Sequence, residues 1–213
     1  TVSGTYSSAA TRIAGICARS TGSFYNCTNN VNITISTSGG SGYAGGIAAY
    51  CNGNIESCQN NGNLTTDATA AIYLGGICGS LGAPQKQIAN CTNTGTIQGN
   101  GTNGTGGICA TLNNSAALIS NCTNSGNVSS KSYVGGIIGK ANGKVEGCTN
   151  SGNVTASTDS AGGICGYNTN SSRSKGGIVN CSNSGTISGP KNIGGISGYG
   201  ESLISKCYNT GTV

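Results

Sequence analysis

The sequence has no methionine, tryptophan or histidine, and charged residues make up 7% of it. An ordinary globular domain carries about 25%. Without histidine, a cysteine nucleophile lacks its usual base, and the mixed Cys/His zinc sites are excluded. There is no Cys-x-x-Cys either, and the cysteine spacings vary, so no structural metal and no cofactor is expected. No run of 18 apolar residues occurs, so no segment reads as a membrane-spanning helix. The N-terminus shows no charged stretch followed by an apolar one, which implies that any export signal has been removed. The net charge of +5 is scattered and is not interleaved with aromatics, unlike a nucleic-acid footprint. Apolar runs with a sustained helical period are also missing.

What the 213 residues do contain is repetition. A seven-residue phrase beginning with cysteine occurs seven times, at Cys27–Ile33, Cys58–Leu64, Cys91–Ile97, Cys122–Val128, Cys148–Val154, Cys181–Ile187 and Cys207–Val213. Its third residue is always asparagine: Asn29, Asn60, Asn93, Asn124, Asn150, Asn183 and Asn209. Upstream of each copy lies a Gly-Ile step whose isoleucines are Ile16, Ile47, Ile77, Ile108, Ile137, Ile164 and Ile196. An apolar residue also stands three positions before each phrase cysteine, as at Phe24, Ile55 and Ile88. A fixed period of 20–50 residues marks a repeat architecture. The apolar positions are mostly β-branched and are interrupted by Gly and Asn, which favours short strands with tight corners.

The predicted fold is therefore an all-β solenoid of about seven rungs, 26–33 residues each, with three short strands per rung and stacking of about 4.8 Å. The chain reads as one array, residues 1–213. Its rungs fall at about 12–33, 43–64, 72–97, 104–128, 133–154, 160–187 and 192–213, with 1–11 as the end of a preceding rung or a cap. The spacing from fixed Ile to phrase Cys is 11, 11, 14, 14, 11, 17 and 11 residues, while the phrase itself never changes length. Variation confined in this way predicts outward loops on a rigid frame. The phrase Asn fits a corner, where it tolerates left-handed backbone and bonds its own main chain. Stacked copies could also bond one another through their amides. The glycine two residues on fits a tight bend, and Val31 is the exception.

The phrases at Gly75–Gly79, Gly135–Gly139 and Gly194–Tyr199, with continuations such as Ile119–Val128, resemble the GLUG motif. The resemblance covers the chain from about Arg12 to Val213. It implies an exported bacterial β-solenoid that serves as stalk, spacer or adhesive surface, and it carries no catalytic residues. The departure from the family is the density of cysteine.

Twelve cysteines with so little charge suit an extracellular or cell-surface protein. Five repeats hold two each, which predicts disulfides within rungs: Cys17–Cys27, Cys51–Cys58, Cys78–Cys91, Cys109–Cys122 and Cys165–Cys181. Cys148 and Cys207 remain over. The competing reading is that cysteine is a small hydrophobe filling the core. The five carboxylates are Glu56, Asp67, Glu146, Asp159 and Glu201. Glu56 and Glu146 share a rung position three rungs apart, about 14 Å, which is too far for a glycosidase pair. No enzyme is expected.

Arg19, Lys86, Lys140, Lys144, Arg173, Lys175 and Lys206 fall between the fixed Ile and the phrase Cys and suggest a mildly cationic edge. Its readings are contact with an anionic glycan or simple solubilisation. Asn90, Asn121 and Asn180 head glycosylation sequons at crowded positions, which favours a bacterial source. The predicted function is a non-catalytic structural or adhesive segment of a bacterial surface protein. A head-to-tail filament subunit and a glycan-binding module are the alternatives, with a polysaccharide-active enzyme last. Expected partners are a host or cell-wall glycan or protein, or further copies of the chain, with no nucleic acid.

Overall fold

The computed structural model describes residues 2–6, 10–37, 40–67, 71–101, 103–169 and 176–213. All of the regular structure among them is strand, and every strand pair is parallel. The chain winds as a β-solenoid. Each turn has three sides, as the sequence predicts. The first runs from the end of the Cys phrase to the Gly-Gly pair. In two turns it is a continuous strand, Val128–Gly135 and Val154–Gly162. Elsewhere an insertion splits it into two. The second side is a four-residue strand following the Gly-Ile step, such as Cys78–Leu81. The third is kinked into two short segments, such as Gln87–Ala89 and Thr92–Asn93. Stacking therefore yields four sheets, one of twelve strands and three of seven.

The kink has a local cause. The residue before each phrase cysteine has a left-handed backbone: Asn26, Ser57, Asn90, Asn121, Gly147, Asn180 and Lys206, with φ between 52° and 63°. Four of these are Asn and one is Gly, the residue types that adopt this conformation at least cost. The left-handed corner thus lies three residues upstream of the phrase Asn, where the sequence reading had put it. Phrase Asn residues pair in register with their copies instead, as Asn60 does with Asn93, and turn their side chains inward. The sequon residues Asn90, Asn121 and Asn180 are corner residues.

Two apolar columns fill the interior. One combines the fixed Ile, the second-side strand, the residue three before the phrase Cys and the phrase Cys itself, as in Ile77, Cys78, Leu81, Ile88 and Cys91. The other lies behind the first side and contains Ile33, Leu64, Leu74, Ile97, Val128, Val134 and Val154. Ile47, Ile77, Ile108, Ile137 and Ile164 are fully buried, while Ile196 packs partly and Ile16 is exposed. The backbone of Val2 pairs in register with that of Ile33.

Glycine is required at the corner for a reason other than conformation. A Cβ on Gly95 would sit 2.0 Å from the carbonyl oxygen of Gly62 one level down, and one on Gly62 would meet the Val31 carbonyl in the same way. Val31 stands at the same corner position as Gly62, one level below it.

Candidate functional site

The phrase asparagines form a continuous amide column. Asn29 Nδ2 donates to Asn60 Oδ1 at 2.7 Å, and the same bond links Asn60 to Asn93, Asn93 to Asn124, Asn124 to Asn150, Asn150 to Asn183 and Asn183 to Asn209 at 2.7–2.8 Å. Each Nδ2 also donates to the carbonyl two residues on, as from Asn93 to Gly95 at 2.8 Å. The column abuts the Gly-Ile step. A Cβ on Gly76 would meet the Asn93 amide at 2.6 Å and the Gly107 carbonyl oxygen at 2.0 Å. The two sequence phrases therefore fit against each other across the turn, and the buried amides are satisfied by their own copies.

The cysteines behave likewise. All twelve are free, so Cys17–Cys27, Cys51–Cys58, Cys78–Cys91, Cys109–Cys122 and Cys165–Cys181 are not joined. Stacking sets each phrase sulfur against the equivalent residue of the next level. The Cys58 N–H donates to Cys91 Sγ and the Cys91 N–H to Cys122 Sγ, both at 3.4 Å. The thiols donate to main-chain carbonyls, as Cys91 does to Ala89 at 3.2 Å. Nine are buried, and Cys17, Cys27 and Cys207 are half-buried. Burial pushes the thiols of Cys51 and Cys78 up, and that of Cys165 up to about 12.

The carboxylates are dispersed. Glu56 accepts from Gln87 Nε2 at 3.0 Å, and Glu146 pairs with Lys144 at 2.7 Å. Both stand on the third side, and the strand registers pass from Glu56 through Ala89 and Ser120 to Glu146. The predicted cationic edge is not one edge. Arg19 and Lys140 lie on the second side and Lys144 on the third. Arg173 and Lys175 lie outside the described residues.

One surface feature escaped the sequence reading. Six of the nine tyrosines line a stripe along the rod where the first side turns into the second. Tyr43 and Tyr73 stack with ring centroids 5.1 Å apart, and Tyr43 meets Tyr50 edge-on at 5.6 Å. Farther along, Tyr133 meets Tyr167 edge-on at 5.0 Å and Tyr167 stacks on Tyr199 at 4.9 Å. Between the two groups Lys140 places its Nζ 4.2 Å from the Tyr133 ring centroid and 5.9 Å from that of Tyr73. Burial lowers the pKa of this lysine. At the N-terminal end the Arg12 guanidinium lies 5.5 Å from the Tyr50 ring. The signal was present as an offset. Relative to the fixed Ile, position −4 holds Arg12, Tyr43, Tyr73 and Tyr133, and position +3 holds Arg19, Tyr50, Lys140, Tyr167 and Tyr199.

In-register parallel turns, ladders of identical side chains and a coiled path with no helix among the described residues define a parallel β-solenoid. Residues 131–155 and 157–188 match the model of the GLUG motif. The chain is a parallel β-solenoid that contains the GLUG motif over these residues. A crystal structure described as "a putative immunoglobulin A1 protease from Bacteroides ovatus" is similar to it, with a TM-score of 0.60, 19% identity, and coverage of 92% of this chain and 69% of that one. At that identity the likeness is one of fold. A search of curated proteins finds no match.

Proposed function

We propose that this chain is a non-catalytic rod within an exported bacterial surface protein, where it acts as a spacer that also presents an adhesive side. The observation that supports this best is that the repeated polar chemistry is used internally. Asn amides bond Asn amides, and thiols bond main-chain carbonyls. What remains outside is a long, stiff surface. The low charge and the cysteine content fit export.

The enzyme reading draws on the name of the similar Bacteroides ovatus protein. Against it stand the separation of Glu56 and Glu146, about 14 Å over three levels, and the engagement of each with a neighbouring side chain. A thiol protease needs a base for its nucleophile, and the sequence has no histidine. The test is incubation of the purified chain with immunoglobulin A1 and with a polysaccharide panel, alongside small-angle scattering. An elongated particle without turnover is expected. Turnover that disappears in Glu56→Gln or Glu146→Gln would overturn the proposal.

A further inference from the structure

The tyrosine stripe contains more than stacking explains. Rings on rings account for Tyr43 with Tyr73 and Tyr167 with Tyr199. They do not account for cations at two separate levels that have no carboxylate opposite them. The ion pairs among the described residues are Lys144–Glu146 and Lys191–Asp159. Arg12 and Lys140 are in neither. The Arg12 Nε is buried without a hydrogen-bond partner. The Lys140 ammonium is half-buried between two rings, where cation–π attraction holds it but leaves its N–H donors uncommitted.

Between the two tyrosine groups the stripe positions hold the small residues Ser80 and Thr111, both buried, and the exposed Asn113 donates to Ser80 Oγ at 2.9 Å. Gly104, beside them, is where the Lys140 stem lies. A Cβ on that glycine would meet Lys140 Cγ at 3.3 Å. The described residues form no pocket, so a ligand lies along this surface instead of entering it.

We propose that the stripe binds an extended acidic polysaccharide, with Lys140 pairing a sugar carboxylate and the flanking tyrosines contacting the adjoining sugar rings. This deepens the adhesive side of the function proposed above and rests on that reading. The cations select a negative charge. Half-exposed tyrosines supply rigid, amphipathic contact area at low entropic cost, with a hydroxyl to bond sugar hydroxyls. Contacts recur along the axis at the rung spacing of about 4.8 Å, which suits a linear polymer laid parallel to the rod. An acidic peptide fits less well. Peptides commonly gain affinity by pairing with a free sheet edge, and the strand that carries Lys140 is paired on both sides.

The test is binding of the whole chain to immobilised polygalacturonate, dextran and polyglutamate. Binding to polygalacturonate that weakens as salt rises is expected, with little binding to the other two. Lys140→Ala should lose at least about tenfold in affinity, the loss of one charged hydrogen bond. Lys140→Arg should retain most of it. Lys144→Ala, on another side of the rod, should change nothing. Each variant is first shown to unfold at the same temperature as the parent. No binding to polygalacturonate, equal binding to dextran or polyglutamate, or full affinity in Lys140→Ala would each overturn the proposal. The rod reading fails on different measurements, a compact scattering profile or substrate turnover.

Discussion

The amide corner and the tyrosine stripe run side by side along the same rod, yet they follow opposite rules. At the corner each level carries the same side chain, from Asn29 to Asn209. On the stripe the second-side position changes from Arg19 to Tyr50, Ser80, Thr111, Lys140, Tyr167 and Tyr199. Backbone register is equally strict in both places. The difference lies in what each side chain meets. A buried amide must find a donor and an acceptor, and in this stacked array its own copies supply them alongside the carbonyl two residues on. A stripe side chain meets solvent or a neighbouring ring, cation or amide, so it does not need an identical copy at the next level. Uniformity marks the frame, and variation on a regular frame marks the surface that can be specialised.

The largest effect should come from the corner backbone. Gly95→Ala forces a methyl group to within 2.0 Å of the Gly62 carbonyl oxygen, and both atoms belong to stacked main chains that cannot move independently. A loss of more than about 3 kcal/mol is expected by denaturant unfolding, enough to disorder neighbouring levels. A loss below about 1 kcal/mol would show that the corners stack more loosely than this and would weaken the contrast with the stripe.

Asn93→Ala comes next. It leaves the Asn60 Nδ2 donor, the Gly95 carbonyl and the Asn124 Oδ1 acceptor short of a partner inside the protein. Unmet buried groups cost about 1–3 kcal/mol each. A total near 3 kcal/mol is expected, since water reaches some of them once the amide is gone. Asn209→Ala, at an exposed level, should cost much less, and equal costs would mean that the column gains nothing from being buried.

The thiol column predicts a pH dependence. In the folded chain the Cys165 thiol stays protonated to about pH 12, because burial opposes the thiolate. In the unfolded chain it ionises near the ordinary value of about 8.5. The folded state thus holds its proton more tightly, so the stability contribution is complete below about pH 8.5 and is lost as pH rises towards 12. Each buried thiol shifted in this way should remove about 1.4 kcal/mol per pH unit in that window. Unfolding at pH 7 and pH 10 measures it. Alkylation in denaturant without reductant should label all twelve cysteines, whereas in the native chain Cys17, Cys27 and Cys207 should react first. A stability that does not change between these pH values would mean that the thiols are solvated or already oxidised.

The solenoid was legible because the period repeats Ile, Cys, Asn and Gly at fixed offsets, and one turn explains the rest. Cysteine pairing was misread because counting two per repeat joins residues within a rung. Parallel stacking brings each residue to its own copy above and below, as with Cys58, Cys91 and Cys122. The left-handed corner was placed at the wrong Asn. The invariant one drew attention, while the position that needs the unusual backbone also accepts Ser57 and Lys206. The stripe was missed because it assembles from two offsets, −4 and +3 around the fixed Ile, filled by different residue types. Only the turn at Gly-Gly-Ile brings them together.

The smallest effect should be at the far end of the stripe. Tyr199 is 40% exposed, stacks on one neighbour, Tyr167, and has its hydroxyl 3.4 Å from Glu201. Tyr199→Ala removes one ring contact and little buried area. An offset-stacked pair is worth about 0.5–1.5 kcal/mol beyond area burial, and the exposed position puts this one near the lower bound. About 0.5 kcal/mol is expected in thermal or denaturant unfolding, several-fold less than at Asn93. If Tyr199→Ala instead cost as much as Asn93→Ala, the stripe would be part of the frame, its tyrosines would be held by packing, and the distinction between an enforced corner and a free surface would fail. If it cost almost nothing yet weakened polygalacturonate binding, the stripe would be the specialised surface that its varied sequence implies.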